Sequence, residues 1–216
     1  EEKTVSAQYV LCSVGRGPNT KGLFADDAIP EMERGRILVD EHFQSSIPGV
    51  YAIGDCVIGM QLAHTASAQG IVTVEHLAGE AASIDLNVVP ACVYTNPEIA
   101  SVGITEDEAK TTGLEVIVGK YVMSGNGKSL ITREDRGFIK IVARADDHRL
   151  VGAQMMCARA TDMISEMAVA IANNMTAEQA LKAIRPHPTY NEGVGEALEE
   201  LVGEAIHVMP KKKKRK

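Results

Sequence analysis

Strand-length apolar segments in the second half of the chain constrain the fold more than any other feature. Only a turn-forming pair, Asp146-Asp147, and one further residue separate the last two segments. Two strands joined by so short a turn pair antiparallel. The sequence therefore predicts an antiparallel sheet. The segments that form it cover 91–95, 114–122, 137–145 and 149–156.

Helices are predicted between and after these strands. Thr105 and Thr176 each stand three residues before a Glu or Gln, which is the capping-box spacing that begins a helix. A helix is also expected over 161–173, and a final helix from about Glu192 to His207 has apolar residues at helical spacing. The sheet and helices together predict an α+β fold class for this part of the chain.

The first part of the chain has a different pattern. Strand character is expected over 4–14, 36–40 and 49–54, followed by a helix rich in small residues over about 62–82. The pattern changes after residue 86, so a domain boundary is expected there. Because the chain starts with Glu and enters a strand-like segment within a few residues, we expect it to be part of a longer protein.

Charge and composition exclude several classes of function. The formal net charge is −7, and because the last six residues contribute +6, the rest of the chain carries −13. Phosphate binding needs Lys and Arg clustered on a folded face, so nucleic acid is not expected as a partner. No apolar stretch approaches the roughly 18 residues of a membrane span, and no signal peptide is recognisable, which predicts a cytoplasmic protein. The basic tail, 208–216, is expected to be disordered and solvated rather than a nuclear localisation signal.

No metal site is predicted. The four cysteines have neither C-x-x-C nor C-x-x-x-x-C spacing, and the histidines outside the motifs below show no metal-ligand spacing. Gly127-Lys128-Ser129 resembles the end of a phosphate-binding loop, but Val122 stands where that motif needs its first glycine. A glycine-rich loop is expected there instead.

His187 lies in a segment that could carry acid–base chemistry, Arg185 to Glu192. A carboxylate five residues after a histidine can fix its tautomer and stabilise the imidazolium, which is the arrangement of a base and its orienting group. Thr189 and Glu192 also have capping-box spacing, so Glu192 could instead begin the last helix, with His187 an ordinary loop residue. The residues alone leave both interpretations open.

A second candidate site lies at Gly54-Asp55 and the start of the following helix. Gly54 would let a ligand approach the backbone, and Asp55 at a strand end can accept hydrogen bonds from sugar-like hydroxyls. The free N–H groups at the next helix start, Gln61 to His64, favour electron-rich oxygens. The alternative is that Gly-Asp makes only a turn and that Asp55 is a cap.

Taken together, these motifs closely resemble the pyridine nucleotide-disulfide oxidoreductases, and among them the dihydrolipoamide dehydrogenases. The His187 segment, H-P-T-x-x-E, resembles the acid–base signature of the same family, although Arg185 stands where the family usually has a second histidine. The segment 93–103 resembles the start of its interface domain. The remaining matches are at 15–20, 34–37, 47–55 and 62–66.

The resemblance implies roles for the candidate residues. His187 would be the acid/base residue that takes a proton from a dihydrolipoyl thiol, with Glu192 as its orienting carboxylate. FAD and NAD are the implied cofactors of the full enzyme. The residues implied to contact them are Asp55 for the FAD ribityl chain, the backbone of Gln61, Leu62, Ala63 and His64 for the flavin ring, and Gly15 for NAD.

The resemblance also implies an architecture and partners. The chain would be the C-terminal portion of an enzyme that oxidises dihydrolipoamide and reduces NAD, a homodimer in which His187 serves the partner subunit's disulfide. Its partners would be the missing N-terminal FAD and NAD domains and the lipoyl domains of 2-oxo acid dehydrogenase or glycine cleavage complexes. The implied domains are 1–20 for the end of the NAD-binding domain, 21–86 for the central FAD-contacting domain and 87–207 for the interface domain, followed by the tail.

Other functions remain open at this point. The chain alone lacks the redox disulfide and most of both cofactor domains, so by itself it is expected to be inactive. A non-catalytic dimerisation or binding module is one alternative. A portion of a glutathione- or mercuric-reductase-like enzyme is another, although Leu62 to Ala66 resembles the lipoamide branch better.

Overall fold

The computed structural model describes residues 3–208 of the chain, and the predicted basic tail therefore lies almost entirely outside the described residues. The chain forms two compact units that divide between Ile84 and Asp85. The assignment of the three predicted domains to cofactor binding and interface remains a prediction. Each unit is described by itself below.

Within residues 3–84 the first unit has a short hairpin, a 3₁₀ turn and one α-helix. Strands β1 (Met32–Glu33) and β2 (Arg36–Ile37) pair antiparallel, and helix α1 covers Ala63–Leu77. A small cluster of buried residues, Ile37, Ala52 and Val57, forms its core. The predicted helix over 62–82 is confirmed, but it ends five residues earlier than expected.

Three strand predictions in this unit are wrong or too long. Residues 4–14 form no strand, because no described strand lies beside them to accept their hydrogen bonds; Leu11, for example, is 93% exposed. Only the first two residues of the predicted strand 36–40 belong to β2. The predicted strand 49–54 is reduced to one bridge, between Tyr51 and Gln44, and gives way to a 3₁₀ turn at Gly54–Cys56.

The second unit is built on an antiparallel sheet, as the sequence predicts, but the sheet has five strands rather than the four expected. The strand order is β3-β4-β7-β6-β5, with the predicted hairpin forming the β6-β7 pair. Strand β4 was not predicted; its residues pair with β7 along their whole length, from Glu98 opposite Cys157 to Gly103 opposite Gly152. The strands are β3 (Ala91–Val93), β4 (Glu98–Gly103), β5 (Val116–Val122), β6 (Phe138–Arg144) and β7 (Leu150–Cys157).

Among the described residues, five α-helices complete the second unit. Helix α4 lies against β4 and β7, and α6 lies against β5 and β6. Both predicted capping boxes are present, at Thr105 and at Thr176. The helices are α2 (Glu106–Thr112), α3 (Gly127–Thr132), α4 (Ala160–Ala172), α5 (Ala177–Ala180) and α6 (Glu192–Val202). The α+β prediction for this part of the chain is confirmed.

Two helix predictions need correction. The predicted glycine-rich loop at 124–129 contains the start of α3, because the buried Asn126 accepts a hydrogen bond from the amide of Ser129 and so caps a helix. Helix α6 ends at Val202 rather than at His207, because Gly203 takes the left-handed conformation, φ 80°, that closes helices.

Candidate functional site

His187 lies on the loop before α6 and makes a hydrogen bond with the first residue of that helix. Its Nδ1 lies 2.8 Å from Oε1 of Glu192. The His187 side chain is 76% exposed, so its second ring nitrogen, Nε2, can meet a ligand. The structure therefore brings together the histidine and the carboxylate that the sequence selects as an acid–base pair.

The two oxygens of Glu192 have separate partners. While Oε1 meets His187, Oε2 accepts a hydrogen bond from the amide of Thr189 at 2.8 Å. The Thr189 hydroxyl donates to the carbonyl of Pro186. Burial raises the pKa of Glu192. The hydrogen bonds from Thr189 and His187, together with the charges of the His187 and His207 imidazoles, lower it by more than burial raises it, so the net pKa is below its ordinary value. Glu192 thus remains an ionised acceptor that both holds the loop and orients the imidazole.

A cavity of about 240 Å³ lies beside this pair and contains a second pair of the same kind. His207 Nδ1 lies 2.5 Å from Oε1 of Glu196, which is one helical turn after Glu192 on α6. That hydrogen bond, with the charge of Glu196, raises the pKa of His207 above its ordinary value. From the sequence, His207 was among the histidines without metal-ligand spacing, and no role was predicted for it. The four-residue spacing of the two glutamates was the signal that could have found the second pair.

The remaining cavity wall comes from β5 and the loop before α3. Tyr121 is 5% exposed, and burial, with the charges of Glu196 and Glu192, raises the pKa of its phenol. A side chain at Gly125 would lie 2.9 Å from the Tyr121 hydroxyl, so glycine leaves room for the phenol. The site is thus lined by groups that donate and accept protons.

The second candidate site, in the first unit, is built where the chain passes close to α1. Gly54 has φ 72°, and a Cβ there would lie 2.9 Å from the Cβ of Ala66, so only glycine fits easily. The Gly54 amide donates to Oε1 of Gln69 at 2.7 Å. Asp55 follows in the 3₁₀ turn with an exposed side chain. The turn therefore presents a carboxylate beside the helix.

Two buried side-chain atoms at the start of α1 have no hydrogen-bond partner among residues 3–208. The helix begins after Leu62 without a capping side chain. Gln61 Nε2 and Thr65 Oγ1 are buried and have no hydrogen-bond partner within the described part of the chain. Buried polar groups are normally paired, so these two atoms suit a ligand that accepts and donates hydrogen bonds. The residue types fit the polar edge of a flavin.

Gly15, the residue that the resemblance assigns to NAD, lies elsewhere in the first unit. It has φ 120°, and no atom would lie within 4 Å of a side chain placed there. It belongs to an exposed segment without helix or strand. The role of Gly15 in NAD binding remains a prediction.

Residues 3–208 contain neither a candidate metal site nor a candidate membrane-spanning helix. No group of three or more His, Cys, Asp or Glu side chains is placed to hold a metal ion there. Within the same residues, no helix is both long enough and apolar enough to cross a membrane.

Comparison with known sequences identifies the family. The dimerisation domain of the pyridine nucleotide-disulphide oxidoreductases matches residues 89–198, and a second domain described as pyridine nucleotide-disulphide oxidoreductase matches residues 1–70. The chain belongs to the pyridine nucleotide-disulphide oxidoreductase family. The resemblance inferred from the motifs is therefore confirmed.

Similar curated proteins carry one name. Dihydrolipoyl dehydrogenase of Bacillus subtilis is 44% identical over 97% of this chain, and that of Geobacillus stearothermophilus is 42% identical over 98%. The mitochondrial dihydrolipoyl dehydrogenase of Pisum sativum is 39% identical over 96% of the chain. The chain spans 45% of the length of the first two relatives and 42% of the third.

Solved structures share the fold. LpdA from Mycobacterium tuberculosis superposes with a TM-score of 0.80 at 29% identity, covering 86% of this chain and 41% of that one. The flavoprotein disulfide reductase RclA from Escherichia coli gives a TM-score of 0.79 at 23% identity, covering 87% and 44% of the two chains, and shows the fold alone.

Proposed function

We propose that the chain is the C-terminal part of an NAD-dependent dihydrolipoyl dehydrogenase, a flavoenzyme that oxidises dihydrolipoamide. The observation that carries the proposal is the hydrogen-bonded pair of His187 and Glu192 at the edge of an open cavity. The names of the similar proteins support the substrate, because three of them are dihydrolipoyl dehydrogenases.

The geometry suits removal of a proton from a thiol. With its Nδ1–H donated to Glu192, neutral His187 presents Nε2 as a base. The proton moves from the thiol sulfur to Nε2, and Glu192 stabilises the imidazolium that forms. The thiolate is then competent to attack a disulfide, forming a mixed disulfide and releasing the other sulfur as a thiolate. That disulfide would be supplied by the rest of the protein.

The proposed cofactors are FAD and NAD. When bound, FAD supplies the transfer of electrons between the dithiol and the nicotinamide. Asp55 would hold the flavin through hydroxyl groups. The α1 start would meet the polar edge of the flavin through Gln61 Nε2 and Thr65 Oγ1, which are buried and without a partner in the described part of the chain. Gly15 would approach NAD. These residues act by binding and orientation only.

The proposed partner is a second copy of the chain. The match to a dimerisation domain over 89–198 supports a homodimer. An apolar groove of about 470 Å³ lies between α4, α5 and the segment before His187, and Ile184 at its edge is 97% exposed. We assign this groove to the dimer contact. Lipoyl domains, as further partners, and a cytoplasmic location belong to the same proposal; the four free cysteines fit a reducing compartment.

Replacement of His187 in the intact protein tests the function. His187→Gln should slow dihydrolipoamide-dependent NAD reduction by about 10²-fold or more, the usual contribution of a positioned acid/base group. His148→Gln is the matched control, since His148 also pairs with a glutamate, Glu178, at 2.5 Å but does not line the cavity. Turnover unaffected by His187→Gln would reject the assignment. Absence of any turnover in the intact wild-type protein would favour the non-catalytic module or another disulfide reductase.

A further inference from the structure

One carboxylate on α4 ties together the two ends of the His187 loop. Oε1 of Glu166 accepts a hydrogen bond from Nη2 of Arg185 at 2.5 Å, and Oε2 accepts one from Nδ2 of Asn191 at 2.7 Å. Arg185 precedes His187 by two residues, and Asn191 is the last residue before α6. Glu166 therefore joins the two ends of the loop that carries the base.

Arg185 is almost completely buried. Its side chain is 9% exposed, and it lies against α6 at Gly195, where a Cβ would come within 3.3 Å of Arg185 Cδ. Besides Glu166, it reaches only the carbonyl of Ala183, at 3.3 Å, among the bonds the described chain shows. A buried cation deprived of its carboxylate partner is costly, so this contact strongly constrains the path of the loop.

His187 has little packing of its own. Because its side chain is 76% exposed, its orientation depends on the loop backbone and on Glu192. Glu166 bonds Arg185, two residues before His187, and Asn191, the residue directly before Glu192. It therefore constrains both the loop backbone and Glu192. A third bond, from Asn126 Nδ2 to the carbonyl of Thr189 at 3.0 Å, fixes the middle of the same loop.

We propose that Glu166, through Arg185 and Asn191, is a positioning residue that keeps His187 and Glu192 in the geometry needed for proton transfer. Its effect on catalysis rests on the proposed function of the site, but its effect on the pair does not. We call the contacts of Glu166 with Arg185 and Asn191 the clamp. The guanidinium supplies a permanent charge for Glu166.

The pair itself provides the first measurement. In this chain, Glu166→Ala should free the loop and weaken the hydrogen bonds that Glu192 accepts from Thr189 and His187. The pKa of Glu192, followed by carbon NMR of its carboxyl group, should then rise from its lowered position toward the ordinary value. Other charged or titratable groups beside Glu192, namely His207, Glu196 and Tyr121, are unchanged in the variant.

Two further variants make this measurement decisive. Asp162→Asn is the control, because Asp162 lies one turn earlier on α4 and its ion pair within residues 3–208 is with the exposed Arg159, at 3.5 Å. It should leave the Glu192 titration unchanged. If Glu166→Ala does not fold, Glu166→Ala combined with Arg185→Met removes the clamp without leaving a buried charge. An unshifted Glu192 titration in a folded variant without the clamp would overturn the proposal.

Kinetics of the intact protein provide the second measurement. Misplacement of the base should lower kcat for dihydrolipoamide by about tenfold or more, while KM changes by less than about twofold, because the loss falls on the reacting geometry. Glu166→Gln, which keeps the acceptor for Arg185, should recover part of the rate. A shifted Glu192 titration with unchanged turnover would support the positioning role and count against the proposed function, so the two ideas fail separately.

Discussion

Gly119 marks the closest approach between the sheet and the helix that carries the site. It lies on β5, and a Cβ at this position would stand 1.9 Å from the carbonyl oxygen of Ala197 and 2.9 Å from the Cβ of Leu201, both on α6. The first neighbour is helix backbone, which cannot rotate away as a side chain can. Gly119→Ala therefore requires a movement of α6 as a body.

The cost follows from the distances. Since Cβ contacts below 3.0 Å are essentially never seen, the 1.9 Å contact forces a displacement of about 1 Å. Inserting a methyl group into a packed core costs about 1–3 kcal/mol, and the upper end applies where backbone must move. We expect Gly119→Ala to lower the free energy of unfolding by about 3 kcal/mol. Glu192 and Glu196 move with the helix, so the 2.8 Å bond to His187 should lengthen as well.

Urea unfolding followed by circular dichroism measures this cost. Gly203→Ala is the matched control at the end of α6, because Gly203 has φ 80° but no atom within 4 Å of an added Cβ. Its cost comes only from the left-handed conformation, about 1–2 kcal/mol. Gly119→Ala should be the more damaging change. If Gly119→Ala is no more destabilising than Gly203→Ala, the result would contradict the inference that β5 packs closely against α6.

Two more predictions concern the core and the groove. Burial, with the charge of Glu98, raises the pKa of Cys157 to about 12 from an ordinary 9.0, so its contribution to stability is complete below pH 9 and is lost as pH rises toward 12. Unfolding free energies measured from pH 9 upward should fall more steeply for wild type than for Cys157→Ala; parallel curves would contradict this. Val169→Glu, in the groove and 60% exposed, should dissociate the dimer in sedimentation experiments. Val74→Glu, on α1 and 65% exposed, should not, and a stable Val169→Glu dimer would place the contact elsewhere.

The sheet of the second unit was predictable because its signals are local. Alternating side chains and a two-aspartate turn determine β6 and β7 within a residue or two of their observed ends. Strand β4 was missed because its full length, Glu98–Gly103, pairs only with β7, some 55 residues away along the chain, while the nearby β3 pairs with three of its residues. Helix α3 was not predicted because it begins in a glycine-rich segment, where the side chain of the buried Asn126 caps its first turn.

In the first unit, composition predicted a strand that does not form. Residues 4–14 have the composition of a strand, yet strand formation depends on a neighbour that accepts hydrogen bonds and a face to cover. Within the described residues neither is present for this segment, and Val10 and Leu11 stay exposed. Composition can show that a segment is suited to a sheet, but it cannot supply the partner strand.

Glu192 shows why the sequence left the site undecided. A capping box needs a carboxylate three residues after Thr189, and an imidazole orienter needs one close to His187. Glu192 meets both requirements, so the sequence could not separate them. In the structure Oε2 accepts a hydrogen bond from the Thr189 amide while Oε1 meets His187. The capping box is only half formed, because the Thr189 hydroxyl donates to Pro186 and α6 begins after Asn191 without a capping side chain. Each bond also supports the other: the amide bond fixes the carboxylate at the head of α6, and a fixed carboxylate can hold an otherwise exposed imidazole. The backbone hydrogen bond that Glu192 accepts at the start of α6 is therefore compatible with its role in the acid–base pair.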